Sequence, residues 1–149
     1  MSGLASPRDV AALLGRRAPS LRTVKTLAEL EGAVERGLPP AAVDGVVEAA
    51  VPEDRQDVAR WLRNALVHPS MQKRKLARLP MEPSARVERV ARVIVATRAS
   101  VGEADTARRF LTSPHPMLRG RTPLQAALTE LGARQVEQIL SSSTAGLPL

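Results

Sequence analysis

The chain has 149 residues, with no Cys, no Tyr, one Trp and one Phe, which excludes disulfides, thiolate nucleophiles and Cys-ligated zinc. The hydrophobic 44% is mainly Ala, Val and Leu, so the core must be aliphatic and favours closely packed helices over a β-sandwich. The net charge of +7 is uneven: residues 55–98 hold 11 basic against 3 acidic residues, while residues 1–54 hold 6 against 8 and residues 99–149 hold 5 against 4. A basic middle third suits contact with phosphates or with an acidic protein surface, or a solvated face. No apolar run approaches the ~20 residues that span a bilayer, and no signal-peptide core opens the chain. A cytoplasmic protein without a membrane partner is expected.

Residues 1–20 read as a flexible N-terminal arm. Asp9 to Leu14 offer one or two helical turns before Gly15, and Arg16, Arg17, Pro19 and Ser20 read as a linker. Leu21 to Arg36 predicts a helix with Val24, Leu27, Ala28 and Val34 on one face, stopped by Gly37. Pro39 and Pro40 open a second helix, in which Val43, Val46, Val47 and Ala50 recur at helical spacing. Pro52 breaks it. A third helix is expected from about Glu53 to Leu62, with Val58, Ala59 and Leu62 inward.

The next stretch has the pattern of a helix-turn-helix. Residues 53–62 would be the positioning helix, residues 63–69 the turn and residues 70–78 the recognition helix, with Met71 and Leu76 as apolar anchors. The turn is longer than the tight turn of the motif and lacks its usual glycine. Ser70, Gln72, Lys73, Arg74, Lys75 and Arg78 are the candidate DNA-binding residues. Gln72 could pair with adenine, and Lys73 and Arg74 could contact phosphate or guanine. The alternative is a solvated basic helix on an ordinary bundle. Together with the helices before it, this stretch predicts a unit at 21–79.

Pro80-Met81-Glu82-Pro83 reads as a domain linker. Ser84 can cap a helix to about Ala99, with Val87, Val90, Ala91 and Ile94 buried and Val93 and Val95 broadening the stripe. A face this wide suits two neighbours or a second copy of the chain, and a homodimer is expected on that ground. Arg86, Arg89 and Arg92 read as an exposed face or as a grip on an acidic partner. Gly102 ends the helix. Glu103 to Leu111 forms a short one with Ala104, Ala107, Phe110 and Leu111 inward. Ser113 to Pro116 is a stiff loop.

Arg119 to Leu140 organises the rest. Thr122 suits an N-cap and Pro123 the first helical position. Leu124, Ala127 and Leu128 share a face. Thr129 can cap a second helix, whose stripe is Ala133, Val136, Ile139 and Leu140. Gly132 permits a close backbone approach or a turn. Residues 141–149 read as a flexible tail.

Gly120 to Leu124, followed by Thr129 to Ala133 and Val136 to Leu140, resembles the toxin-binding domain of the Xre/MbcA/ParS antitoxins. The resemblance reaches back to about Pro80 and covers Val87 to Val93, Arg109-Phe110-Leu111 and Ser113-Pro114. It implies an all-α protein: an N-terminal Xre-like helix-turn-helix unit at 21–79, followed by a small helical toxin-binding domain at 80–140. The partners it implies are a cognate toxin, often of the RES type that degrades NAD, and operator DNA. The expected toxin-facing residues are Arg119, Arg121, Thr122 and Gln135, on or beside the resembling stretch. Thr122 also suits a purely capping role and the others a solvated one. Family members often continue their last helix beyond the point where this chain turns to Ser141-Ser142-Ser143.

His68 and His115 each adjoin a proline and belong to no metal-ligand set. No phosphate-binding loop or nucleophile-elbow motif is present. The expectation is a binding protein without catalytic residues, metal or cofactor: an antitoxin, or alternatively a helix-turn-helix transcription regulator with no toxin partner.

Overall fold

The computed structural model describes residues 5–144. The fold is all-α: among the described residues there are nine α-helices, two 3-10 turns and no strand. The helices are α1 (Pro7–Leu14), α2 (Leu27–Arg36), α3 (Ala41–Ala50), α4 (Gln56–Leu66), α5 (Pro69–Gln72), α6 (Met81–Val101), α7 (Ala104–Thr112), α8 (Pro123–Ala126) and α9 (Glu130–Thr144).

The long helix α6 is the axis, packing against α1, α2, α3, α4, α7 and α9. Its wide apolar face explains this. Val87, Val90, Ala91, Val93, Ile94 and Ala96 are all almost fully buried, on sides that a single neighbour could not cover. The face expected to pair two chains is therefore filled by helices of the same chain.

The expected linker at Pro80–Pro83 is instead the start of α6. Proline breaks helices only where its missing N–H would have been bonded, and Pro83 lies in the first turn, where those donors are orphaned anyway. Ser84 is not the cap. It is fully buried, its hydroxyl accepting from Leu38 N at 2.8 Å and lying 3.4 Å from the Leu79 carbonyl. One apolar cluster runs from Val10 through α6 to Leu140, across the position read as a boundary.

Nor are residues 5–20 a loose arm. Ser6 caps α1 by accepting from Asp9 N, and Val10, Ala11, Leu13 and Leu14 pack into the core. Arg22 closes the following turn by donating to the carbonyls of Gly15 and Arg16. Residues 1–4 of the expected arm lie outside the described residues. Helix α2 starts later than expected because Thr26 and Glu29 form a reciprocal capping box. Its buried residues are Leu30 and Ala33, whereas Leu27 is 70% exposed. Gly37 ends it as expected, at φ 97°; a Cβ there would meet the Leu79 carbonyl oxygen.

Helix α4 runs four residues beyond the expected Leu62, because Leu66 continues the stripe of Ala59 and Leu62. The connection to α5 shrinks to Val67 and His68. The expected recognition helix is a single turn, ending at Gln72. Met71 and Leu76 stand five residues apart, about 140° around a helix, so one helix cannot direct both inward. The chain instead bends through Lys75, at φ 51°, and Met71, Leu76 and Leu79 line one cleft against α3 and α4.

The C-terminal half follows the expected elements closely. Gly102 ends α6 in the left-handed conformation, and Ala107 and Leu111 of α7 are buried. Helix α9 carries the stripe Ala133, Val136, Ile139 and Leu140 and continues to Thr144, four residues into the expected tail. Residues 145–149 lie outside the described residues.

Candidate functional site

The C-terminal candidate surface is built on the seam between α6 and α9. Three arginines on α6, expected as an exposed face, are half-buried and tie helices together. Arg86 donates to the Leu66 carbonyl at 3.0 Å, and Arg89 to the Leu128 carbonyl at 2.9 Å. Each satisfies a carbonyl at or just beyond a helix end, where the dipole favours a cation. Arg92 sits among three carboxylates: Glu130 at 3.1 Å, Glu137 at 3.4 Å and Glu88 at 3.6 Å. The sequence held a signal for this. Glu88 and Arg92 are four apart on α6, and Glu130 and Glu137 are two turns apart on α9.

The cluster has a pH consequence. Burial pushes the Glu88 carboxyl above its ordinary range, opposed by Arg92 and Arg89 and reinforced by Glu130 and Glu137. A carboxyl raised in the folded state supports folding while protonated, and that support is lost as pH rises through the folded value. At neutral pH the ionised Glu88 therefore opposes folding. Glu88→Gln is expected to raise stability at pH 7 and to lose that advantage in acid, where Glu88 is itself protonated. Urea midpoints under the two conditions check this.

Against this seam stands the elbow of α8 and α9. Thr122 accepts from Gln125 N at 3.1 Å while the Gln125 amide oxygen accepts from Thr122 N at 2.8 Å, a complete capping box. Thr129 accepts from Gly132 N at 3.1 Å and so caps α9. Both caps fall where the residue types predicted them. At Gly132 the backbones nearly touch, and a Cβ would lie 1.9 Å from the Ala126 carbonyl oxygen.

Before the elbow runs a closed loop, residues 115–121. His115 N donates to the Arg121 carbonyl at 3.0 Å, and Gly120 N to the His115 carbonyl at 3.2 Å. The His115 ring accepts from Met117 N through Nδ1 and meets Phe110 edge-on, centroids 6.1 Å apart. Leu118 anchors the loop in the core. Arg121 spends its Nε on the Leu118 carbonyl at 2.9 Å. Arg119 is exposed, at φ 60° and ψ 33°, with no ion-pair partner among the described residues. Of the four expected toxin-facing residues, Arg119 and Arg121 thus lie on this loop and Thr122 follows it as the cap of α8. Gln135 stands half-buried on α9. Met117 on the same loop is 73% exposed, and its place between His115-Pro116 and Arg119-Gly120 is the sequence signal for it.

The second candidate surface is the basic segment after α4. Ser70 is bonded to the His68 ring, which caps α5. The Gln72 amide donates to the Val67 carbonyl at 2.7 Å and to Asn64 at 3.1 Å, so its protons are used within the chain. Lys73, Arg74, Lys75 and Arg78 are exposed, without ion pairs among the described residues.

The C-terminal half is thus a helical module with a supported loop and a capped elbow on a helix seam. Residues 96–146 match the family described as the antitoxin Xre/MbcA/ParS C-terminal toxin-binding domain. The chain is also similar to an Antitoxin Xre of Pseudomonas putida, 35% identical over 71 residues, or 48% of this chain. The match spans 45% of that relative's length. Among the described residues no helix is long and apolar enough to cross a membrane.

Proposed function

We propose that this protein is the antitoxin of a toxin–antitoxin pair. It holds a cognate toxin of the RES, NAD-degrading type through its C-terminal module and represses its own operon through the basic segment. It acts in the cytoplasm by stoichiometric binding and carries out no reaction. The observation that carries the first part is the match of residues 96–146 to a toxin-binding domain. Co-expression with the product of the neighbouring toxin gene tests it: growth restored by this chain supports the reading, and continued arrest refutes it.

The DNA part rests on the charge of residues 55–98 and on four exposed basic side chains within six residues, Lys73, Arg74, Lys75 and Arg78. With the Gln72 amide and the Ser70 hydroxyl occupied within the chain, these cations act on phosphates, and a homodimer would place two such segments on one operator. Lys73→Ala combined with Arg74→Ala should weaken operator binding and lessen the slope of log K against log salt by about 2, since each phosphate contact contributes about 0.9. Gel-shift titrations at several salt concentrations measure this, and sedimentation reads the dimer. An unchanged slope would remove these two residues from the phosphate backbone.

A further inference from the structure

The loop at 115–121 carries a conformational cost with no return inside the chain. Arg119 is a non-glycine residue in the left-handed region, which disfavours side chains with a Cβ. Gly120 follows it at φ 77°. Asn or Gly would relieve Arg119, and its guanidinium forms no hydrogen bond or ion pair among the described residues. Two residues earlier, Met117 leaves 73% of its surface in water. The backbone beneath both is fixed by the bonds of His115, Leu118 and Arg121 to one another and by the buried Leu118. A flexible apolar side chain and an unpaired cation are thus held outward on a frame that is already ordered, so little backbone entropy remains to be lost on contact.

We propose, resting on the antitoxin reading, that this loop is the element that enters the toxin. Met117 fills an apolar recess and Arg119 pairs with a carboxylate on its rim. Arg121, Thr122 and Gln125 are positioning residues that hold the loop and do not touch the partner. Met and Arg are enriched where proteins meet, and a buried Arg is a frequent energetic anchor. The partner is a protein surface and not a nucleic acid, because residues 99–149 carry 5 basic against 4 acidic residues and so lack the positive field that DNA binding draws on.

The test uses the full chain and the toxin encoded beside its gene, with binding followed by calorimetry. Arg119→Gly removes the side chain and relieves the backbone. It should leave the thermal midpoint unchanged or raised, yet weaken toxin binding tenfold or more. Met117→Ser should weaken binding similarly without lowering the midpoint. Arg121→Ala should lower the midpoint, as a positioning residue must. If the unchanged chain binds the toxin and both loop variants bind it equally well, the loop assignment falls and the antitoxin reading stands. If the unchanged chain does not bind, both fall. Loss of duplex-DNA retention in Arg119→Gly, or a changed sedimentation coefficient without toxin, would reassign the loop to DNA or to a second copy and overturn the proposal.

Discussion

Gly132→Ala is expected to cost about 3 kcal/mol or more and, on the proposed function, to abolish toxin binding. On propensity alone the change should help, since Ala is favoured over Gly inside a helix by about 1 kcal/mol. Geometry reverses the sign. The added Cβ would sit 1.9 Å from the Ala126 carbonyl oxygen, 2.7 Å from its carbon and 2.9 Å from Thr129 Oγ1. Two of these atoms are backbone, so no side-chain rotation clears them. The elbow between α8 and α9 must open, and the Thr129 cap on Gly132 N is strained or lost with it. Arg89, which grips the Leu128 carbonyl inside the same elbow, loses its acceptor geometry. Urea unfolding measures the stability and calorimetry with the toxin measures the binding. A variant as stable as the parent would mean that the elbow relaxes without loss.

Leu14→Ala is expected to cost about 2–5 kcal/mol, the range for deleting a fully buried leucine. Leu14 is 0% exposed, and α1 packs on both α3 and α6. An alanine in a loose arm would instead change stability by less than about 0.5 kcal/mol. Because one apolar cluster spans α1, α6 and α9, the loss should appear as a single displaced transition. Near-ultraviolet dichroism at the lone Trp61, on α4, and far-ultraviolet dichroism for all helices should report the same midpoint. Two separated transitions would show that the chain melts in parts.

The elements that were legible in the sequence are those fixed by short-range chemistry. The Thr122 cap with Pro123 after it, the Thr129 cap, the stops at Gly37 and Gly102 and the stripes of α6 and α9 all depend on groups within about four residues of one another. The all-α class follows from the same local rules, applied to a chain rich in Ala, Val and Leu. The resemblance over Gly120 to Leu140 falls on that well-specified stretch, and the family match covers it.

Tertiary structure decided what local rules leave open. Pro80–Pro83 satisfies a linker and a helix start equally well; the burial of Ser84 against Leu38 N selected the helix. Residues 5–20 have only enough apolar pattern for two turns, and an isolated helix that short is unstable in water, so only docking on α3 and α6 orders α1. The spacing of Met71 and Leu76 cannot serve one helix face, and a shared cleft with Leu79 ended α5 at Gln72. Arg86 and Arg89 read as part of a solvated face because the carbonyls they grip lie 20 and 39 residues away in the chain. Local spacing sets where helices begin and end. Which charged side chains are consumed within the fold, and which, like Arg119, stay exposed, depends on contacts distant in sequence.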